Sequence, residues 1–171
     1  DDWQSRWLAL AELRARRAPQ GASGSGLKLI DAAASQWRRR LRCETPPPAS
    51  VPAHALGDVL LHAFPDRIGK QHEREPLRYQ LSGGRMARLH PDSTLYGEPW
   101  LCASELKFEA KEALILRAAP IDQHRLEQDF PERFRTCDSV RWDERSHALV
   151  ARRERRFDQI VLSSQSGGKV D

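Results

Sequence analysis

Two segments of this sequence combine glycine with basic residues, as phosphate-binding loops do. The first, Gly21–Leu29 (GASGSGLKL), has Gly21 and Gly26 at the separation of a P-loop. A P-loop places Lys and then Ser or Thr directly after the second glycine, because these side chains hold phosphate and magnesium. Here Leu27 precedes Lys28, and no Ser or Thr follows. The segment is therefore predicted to be a linker between two helices.

The second segment is RYQLSGGRMARLHPDS, Arg78 to Ser93, with Gly83-Gly84 between two stretches of alternating residues. A phosphate loop would lead into a helix, but Pro91 follows too soon for one. The pattern predicts a β-hairpin that turns at the glycines. Arg85 and Arg88 then point to opposite faces of their strand, so at most one faces a surface that could bind a single strand.

The densest basic run is RRERR, Arg152 to Arg156. It could follow a phosphate backbone. Acidic residues flank it at Asp143, Glu144 and Asp158, so a solvated edge strand protected by charge is an equal alternative.

Three aromatic residues, Trp100, Phe108 and Trp142, could stack on nucleic-acid bases. For Trp100 and Trp142 core packing is favoured, since both lie in alternating segments. The predicted nucleic-acid-binding residues are six arginines: Arg78, Arg85, Arg88, Arg152, Arg153 and Arg155.

The sequence contains no GxSxG motif, no HExxH motif and no spacing typical of a catalytic triad. We therefore predict no catalytic, metal-binding or cofactor-binding residue in this chain. Three cysteines far apart in the sequence favour free thiols and a reducing, cytoplasmic location. No apolar run approaches the ~18 residues of a membrane span, and the chain is expected to be cut from a longer polypeptide.

Charge is unevenly distributed along the 171 residues, which carry a net +4. Residues 1–44 hold nine Lys/Arg and five Asp/Glu, and residues 45–171 hold nineteen of each. The N-terminal segment is thus basic and the rest is neutral. A basic helical segment beside a neutral barrel would form a groove with one positive wall.

Helical periodicity at 3–17 and 27–43 predicts a pair of packed helices in residues 1–44, joined by a flexible connector at 20–26. Residues 45–75 are predicted to be a Pro-rich linker, a short apolar helix and a polar connector. Residues 76–163 alternate with period 2 and are interrupted by one helix, for which Asp122 is the predicted N-cap. Residues 164–171 are predicted to be a flexible tail.

These elements predict an α+β fold, with an N-terminal helical segment followed by a small OB-like β-barrel that has one intervening helix. The barrel is expected to contain all the strands of residues 76–163.

Six blocks in order resemble the C-terminal accessory region of the HrpB family of bacterial DEAH-box ATP-dependent helicases. They lie within about residues 56–163 and read AFPDRIGK, RYQLSGGRMARLHPDS, EPWLCASEL, APID, VRWD and ARRERRFDQIVLS. The segment ARLHPDSTLY followed by PWLCASEL is similar to the OB-fold strand pair of DEAH-box helicases, where a His-Pro-x-Ser segment precedes a Trp-containing strand. The helices of residues 1–44 resemble the end of the ratchet-like bundle that precedes that OB-fold.

The resemblance implies a parent protein whose two RecA-like domains hydrolyse ATP with Mg²⁺. None of the motifs for that chemistry is in this chain, so the resemblance implies an accessory segment that is not itself an enzyme. The implied partners are single-stranded nucleic acid, with RNA favoured, the RecA-like domains of the same polypeptide, and a protein activator; no membrane partner is expected. Guiding a strand near the tunnel exit is the first hypothesis. An interaction or bracing module that docks an activator or sets the RecA geometry is the alternative.

Overall fold

The computed structural model describes residues 2–19, 21–145 and 147–169. Two helices open the chain, α1 (Trp3–Arg14) and α2 (Gly24–Arg40). The Asp2 carboxylate caps α1, and the Ser23 hydroxyl caps α2 by accepting from the Gly26 N–H. Helix α2 therefore begins within the connector predicted at 20–26, because Ser23 supplies the cap that starts a helix there.

The helical pair is joined to the rest of the chain by α1. Arg14 Nε lies 2.7 Å from Asp31 Oδ1 and links α1 to α2. At the other end of α1, Trp3 Nε1 donates to Ser104 Oγ at 2.8 Å. The predicted helix of the second segment is α3 (Ala55–Ala63).

A closed five-stranded barrel follows α3. Its strands are β1 (Ile68–Gln71), β2 (Arg78–Leu81), β3 (Met86–Arg88), β4 (Trp100–Phe108) and β5 (Ala113–Pro120). The order around the barrel is β1-β2-β3-β5-β4, and β4 pairs again with β1. Only the β3–β5 pairing is parallel among these ladders. The hairpin predicted at Gly83-Gly84 is confirmed, with Gly84 at a φ of +89° that suits glycine.

The barrel interior is filled by alternate residues of its strands. Tyr79 is fully buried there, and its hydroxyl donates to the Glu98 carbonyl oxygen at 2.7 Å. Leu81, Leu101 and Ile115 pack around it. Gly69 faces the same interior, where an added Cβ would lie 3.2 Å from Leu81.

The first barrel strand corrects a prediction. Residues 68–71 were assigned to a polar connector within 45–75, and they form β1, so the barrel begins before residue 76. The segment IGKQ is short and holds a glycine, so it lacks a strand pattern of its own. It becomes a strand because β2 and β4 pair with it on both sides.

Helix α4 (Gln123–Asp129) follows the barrel, with Asp122 as its predicted cap. A separate three-stranded sheet comes next, formed by β6 (Phe134–Asp143), β7 (Ala148–Phe157) and β8 (Ile160–Lys169). Placing these strands in the barrel was wrong. The β1–β4 pairing closes the barrel and leaves no free edge for a sixth strand.

The predicted tail is also corrected. Residues 164–169 belong to β8 and pair with β7, for instance Ser166 with Arg152. Residues 170–171 lie outside the described residues. The division of the chain into separate domains at residues 44/45 and 75/76 stays a prediction.

A second apolar cluster joins these parts outside the barrel. Its buried members come from α3, β1, β4, the segment that leads into α4, α4 itself and the base of the three-stranded sheet: Leu61, Ile68, Trp100, Cys102, Ile121, Leu126, Phe157 and Ile160. Gly57 of α3 permits the close approach, because a Cβ there would collide with the Pro120 carbonyl oxygen. The α+β fold with N-terminal helices, an OB-like barrel and an intervening helix is confirmed.

Candidate nucleic-acid interface

The outward face of β1, β2 and β3 presents basic residues in two adjacent rows. Tyr79, Leu81 and Ala87 point into the barrel, so the alternate residues point outward. One row pairs Lys70 with Gln80 and Gln80 with Met86; the next brings His72 beside Arg78 and pairs Arg78 with Arg88. We call the outward residues of these three strands, together with His72 directly after β1, the barrel face: Lys70, His72, Arg78, Gln80, Met86 and Arg88.

Arg78 and Arg88 are held by carboxylates. Arg78 Nη1 donates to Glu75 Oε1 at 2.7 Å and its Nε donates to Glu112 Oε2 at 3.1 Å. Arg88 Nε lies 3.2 Å from the other Glu112 oxygen, and its Nη2 lies 3.6 Å from Glu109. The hydrogen bond to Glu75 raises the pKa of the Arg78 guanidinium. Both cations are fixed in place, and part of their charge is balanced.

Arg85 forms an aromatic–cation pair at the edge of the barrel face. Its guanidinium carbon lies 4.9 Å from the centre of the Phe108 ring, and its Nη2 donates to the Glu109 carbonyl oxygen at 2.8 Å. The Phe108 side chain remains 61% exposed. An exposed ring beside a guanidinium is the arrangement on which unpaired bases stack.

Arg85, directly before β3, and Arg88, the last residue of β3, therefore meet at the same turn, although strand alternation predicted that they point to opposite faces. The turn between β4 and β5 brings Glu109 to both of them. The sequence spacing alone did not predict this shared contact.

The three arginines that the sequence predicted on β7 lie apart from the barrel face, on the separate sheet, and the fourth arginine of that strand, Arg156, forms an ion pair with Glu154. Arg153 lies 3.7 Å from Asp138 on the facing strand, and both side chains are largely exposed. Arg155 Nη2 reaches Glu127 of α4 at 3.4 Å. Arg152 projects from the opposite face of the sheet, exposed, with no ion pair in the part of the chain that the structure describes. These arginines do not converge on one site.

Sequence reasoning missed Lys70 and His72, because β1 and the residue after it had been assigned to a connector, and it missed Gln80 of β2 because that residue carries no charge. It was also wrong about one tryptophan. Trp100 is 2% exposed and packs in the core as expected, whereas Trp142 is 57% exposed near the far end of the three-stranded sheet. Exposed neighbours there are Val140 and Leu149, and Leu149 pairs with Trp142.

Other kinds of site are not seen in residues 2–19, 21–145 and 147–169. They contain no group of three or more His, Cys, Asp or Glu side chains placed to bind a metal ion. None of the helices within these ranges is long and apolar enough to cross a membrane.

Known proteins match this arrangement in sequence and in fold. Residues 133–166 match the family model described as "ATP-dependent RNA helicase HrpB, connector region". That stretch covers Arg133 and the three-stranded sheet as far as Ser166. Over 112 residues, 64% of this chain, the sequence is 31% identical to the ATP-dependent RNA helicase HrpB of Escherichia coli K12. The chain resembles the C-terminal accessory region of HrpB.

Solved structures agree with this assignment. The crystal structure of the E. coli DExH-box NTPase HrpB matches 98% of this chain with a TM-score of 0.63 at 25% identity. A crystal structure of the E. coli DEAH/RHA helicase HrpB matches the same share with a TM-score of 0.62 at 22% identity, which shows the fold alone. The chain spans 14% of the curated HrpB sequence and 21% of each solved HrpB chain.

Proposed function

We propose that this HrpB-like segment is a non-catalytic part of an ATP-dependent bacterial helicase that guides single-stranded nucleic acid, with RNA favoured. ATP and Mg²⁺ would bind to RecA-like domains elsewhere in the polypeptide, in the cytoplasm. The similarity to the E. coli ATP-dependent RNA helicase HrpB supports RNA as the substrate class.

The observation that carries the proposal is the barrel face with its stacking pair. Lys70, His72, Arg78 and Arg88 share one face of three adjacent strands, and the exposed Phe108 with Arg85 lies beside them. Basic side chains can contact phosphates, and the aromatic ring can stack on a base of any sequence. Glu75, Glu109 and Glu112 balance part of this charge, which favours a strand that is held briefly and passed on.

The proposal is tested by fluorescence anisotropy of a labelled single-stranded RNA of about ten nucleotides, within the range that one OB-fold contacts. Two double variants are compared with the unsubstituted 171-residue chain, which we call the parent chain. They are Arg85→Ala/Arg88→Ala on the barrel and Arg152→Ala/Arg153→Ala on the sheet. We expect the first to weaken binding by about tenfold, since it removes a stacking partner and a phosphate contact. We expect less than about threefold for the second, because these exposed side chains contact a strand only loosely.

Failure of the parent chain to bind RNA at low salt would contradict the guiding role. A larger loss of RNA affinity in the sheet variant would indicate that the RNA binds to β7 and not to the barrel. Unchanged melting temperatures in both variants are the control for folding.

One observation favours the alternative, a bracing or interaction module. Val140, Trp142 and Leu149 form an exposed apolar row on the far end of the sheet, and such rows are typical of protein contacts. Association through this row would change little with salt and would be lost in Trp142→Ala. Strand binding would fall steeply with salt and would survive that substitution.

A further inference from the structure

A polar groove lies where the loop after β1 meets the tip of the β7–β8 hairpin. It encloses about 350 Å³. Its basic lining residues are Lys70, His72 and Arg74. Gln80 and Ile160 also line it. We call it the junction groove. Because Lys70, His72 and Gln80 also belong to the barrel face, the groove is continuous with that face.

The cations of the junction groove differ from the arginines of the barrel face in their partners. Arg78 and Arg88 are bound by three carboxylates. Lys70 and Arg74 have no ion pair among the described residues. Glu73 is the carboxylate among the lining residues, and Glu75 lies close by, with its Oε1 3.8 Å from His72 Nδ1. An incoming anion would therefore replace water on Lys70 and Arg74 and would not have to break an existing ion pair.

Hydrogen bonds fix the walls of the groove. Gln80 Nε2 donates to the Gln159 carbonyl oxygen at 3.1 Å and ties β2 to the β7–β8 turn. The Arg74 N–H donates to His72 Nδ1 at 3.3 Å, which leaves the other ring nitrogen, Nε2, as a donor in the neutral ring. Lys70 emerges between Gln80 and Trp100, its neighbours in the sheet, and is half-buried. Lys70 is thus a lining residue of the groove that its strand neighbours hold on both sides.

Uncharged residues also line the groove. Ile160 and Val161 contribute at the start of β8, and Ile160 is almost fully buried. The groove thus combines hydrogen-bond donors with uncharged residues, in a volume that lies in the range of ligand-binding pockets.

We infer that the junction groove binds a backbone phosphate of the single strand, held by Lys70, Arg74 and His72. The inference rests on the proposed function and adds a contact at one end of the barrel face, next to the β7–β8 hairpin. Free phosphate and mononucleotides share the same chemistry, so the test separates these sources.

The test measures RNA anisotropy against salt, from about 50 to about 200 mM, for the parent chain and for Lys70→Gln/Arg74→Gln. Glutamine keeps much of the side-chain length and removes the charge. We expect the slope of log affinity against log salt to fall by about 0.7 to 1.4, which corresponds to one or two lost phosphate contacts on a single strand. We expect affinity at the lower salt to drop by roughly tenfold.

A matched control removes the same charges elsewhere. Lys28→Gln/Arg39→Gln also loses one lysine and one arginine, both exposed on α2. It should leave the slope within about 0.3 of the parent value, since no contact is removed. Equal losses in both variants would show a general effect of net charge and overturn the inference. Melting temperatures confirm that both variants are folded.

The remaining outcomes separate this inference from the proposed function. If the parent chain binds RNA and Lys70→Gln/Arg74→Gln binds with an unchanged slope, the inference fails and the guiding role stands. If the parent chain does not bind, both fail. Binding of AMP or inorganic phosphate to the parent chain and not to Lys70→Gln/Arg74→Gln, without any displacement of the labelled RNA, would assign the groove to a free phosphate ligand and overturn its role in holding a strand.

Discussion

The closed barrel and the three-stranded sheet hold their charged residues in different ways. On the barrel, Arg78 and Arg88 are fixed by carboxylates from two loops. On the sheet, Arg153 faces Asp138 at 3.7 Å with both side chains largely in water. Ion pairs of that exposed kind contribute little. Arg155 and Arg156 of the same strand are held by Glu127 and by the buried Glu154, so the contrast is between the arginines of the barrel face and Arg153.

The sheet also differs along its own length. Its base is anchored, because Phe157 is fully buried and packs edge-on against Trp100 with ring centres 6.1 Å apart. Its far end exposes Val140 and Trp142. The base of the sheet is thus held against the rest of the fold, and its far end is exposed.

The largest predicted difference between these regions is in thiol reactivity. Cys102 lies buried in the barrel wall, and burial raises the pKa of its thiol to about 12. Cys43 is exposed and Cys137, on the sheet, is half-buried. Because the thiolate is the reactive form, Cys102 should react with a thiol reagent at about pH 8 on the order of 10³ times more slowly than an ordinary exposed thiol.

Mass spectrometry of the labelled peptides measures the three rates separately. In denaturant all three cysteines should react at similar rates. Native labelling of Cys102 as fast as that of Cys137 would show that the barrel wall opens as readily as the sheet.

The next prediction concerns the anchored and free ends of the sheet. Phe157→Ala should lower the free energy of unfolding by about 3–5 kcal/mol, since it leaves a cavity between the barrel and the sheet. Trp142→Ala is the matched aromatic control, and it should cost less than about 1 kcal/mol because its side chain is largely exposed. Urea unfolding measures both. Equal costs would mean that the far end is packed as well as the base.

A backbone contact gives a third, smaller effect. Gly57→Ala places a Cβ against the Pro120 carbonyl oxygen and within 2.7 Å of Ile121 Cγ2. The clash should cost about 1–3 kcal/mol, more than the gain from the better helix former. Gly26→Ala in α2 is the control, with its nearest contacts at 3.7 Å and 3.8 Å. It should be neutral or stabilising, and a stabilising Gly57→Ala would contradict the close packing of α3 on the barrel.

Local signals in the sequence were enough for several elements. The Gly83-Gly84 turn, the alternation of β4 and β5 and the Asp122 cap each act within a few residues. The β1 strand could not be predicted in this way, since four residues with a glycine become a strand only through their partners. The separate sheet was missed for a related reason: alternation predicts a strand but does not say which strand it pairs with.

The candidate site also depends partly on local signals and partly on distant partners. Arginines are visible in the sequence, but their carboxylate partners are distant, as Glu112 is from Arg78. Exposure of Trp142 depends on where the sheet ends, which periodicity does not report. Lys70 belongs to the candidate site only because β1 pairs into the barrel, which the sequence did not predict.

The smallest predicted effect tests the carboxylates that balance the barrel face. Glu112→Gln removes the charge that links Arg78 to Arg88. RNA affinity at low salt should rise by about two- to threefold, because one like charge is removed near the strand. Glu132→Gln, an exposed change beyond α4, should leave affinity unchanged. Weaker binding in Glu112→Gln would mean that holding the arginines in place matters more than freeing their charge.

The central claim, that a single strand lies on the barrel face, is tested most directly by photo-crosslinking. RNA that carries 4-thiouridine would be irradiated with the chain, and the crosslinked peptides identified by mass spectrometry. We predict crosslinks within residues 70–88 and at Phe108. Crosslinks confined to the helices of residues 3–40, or to the far end of the sheet around Trp142, would contradict the claim.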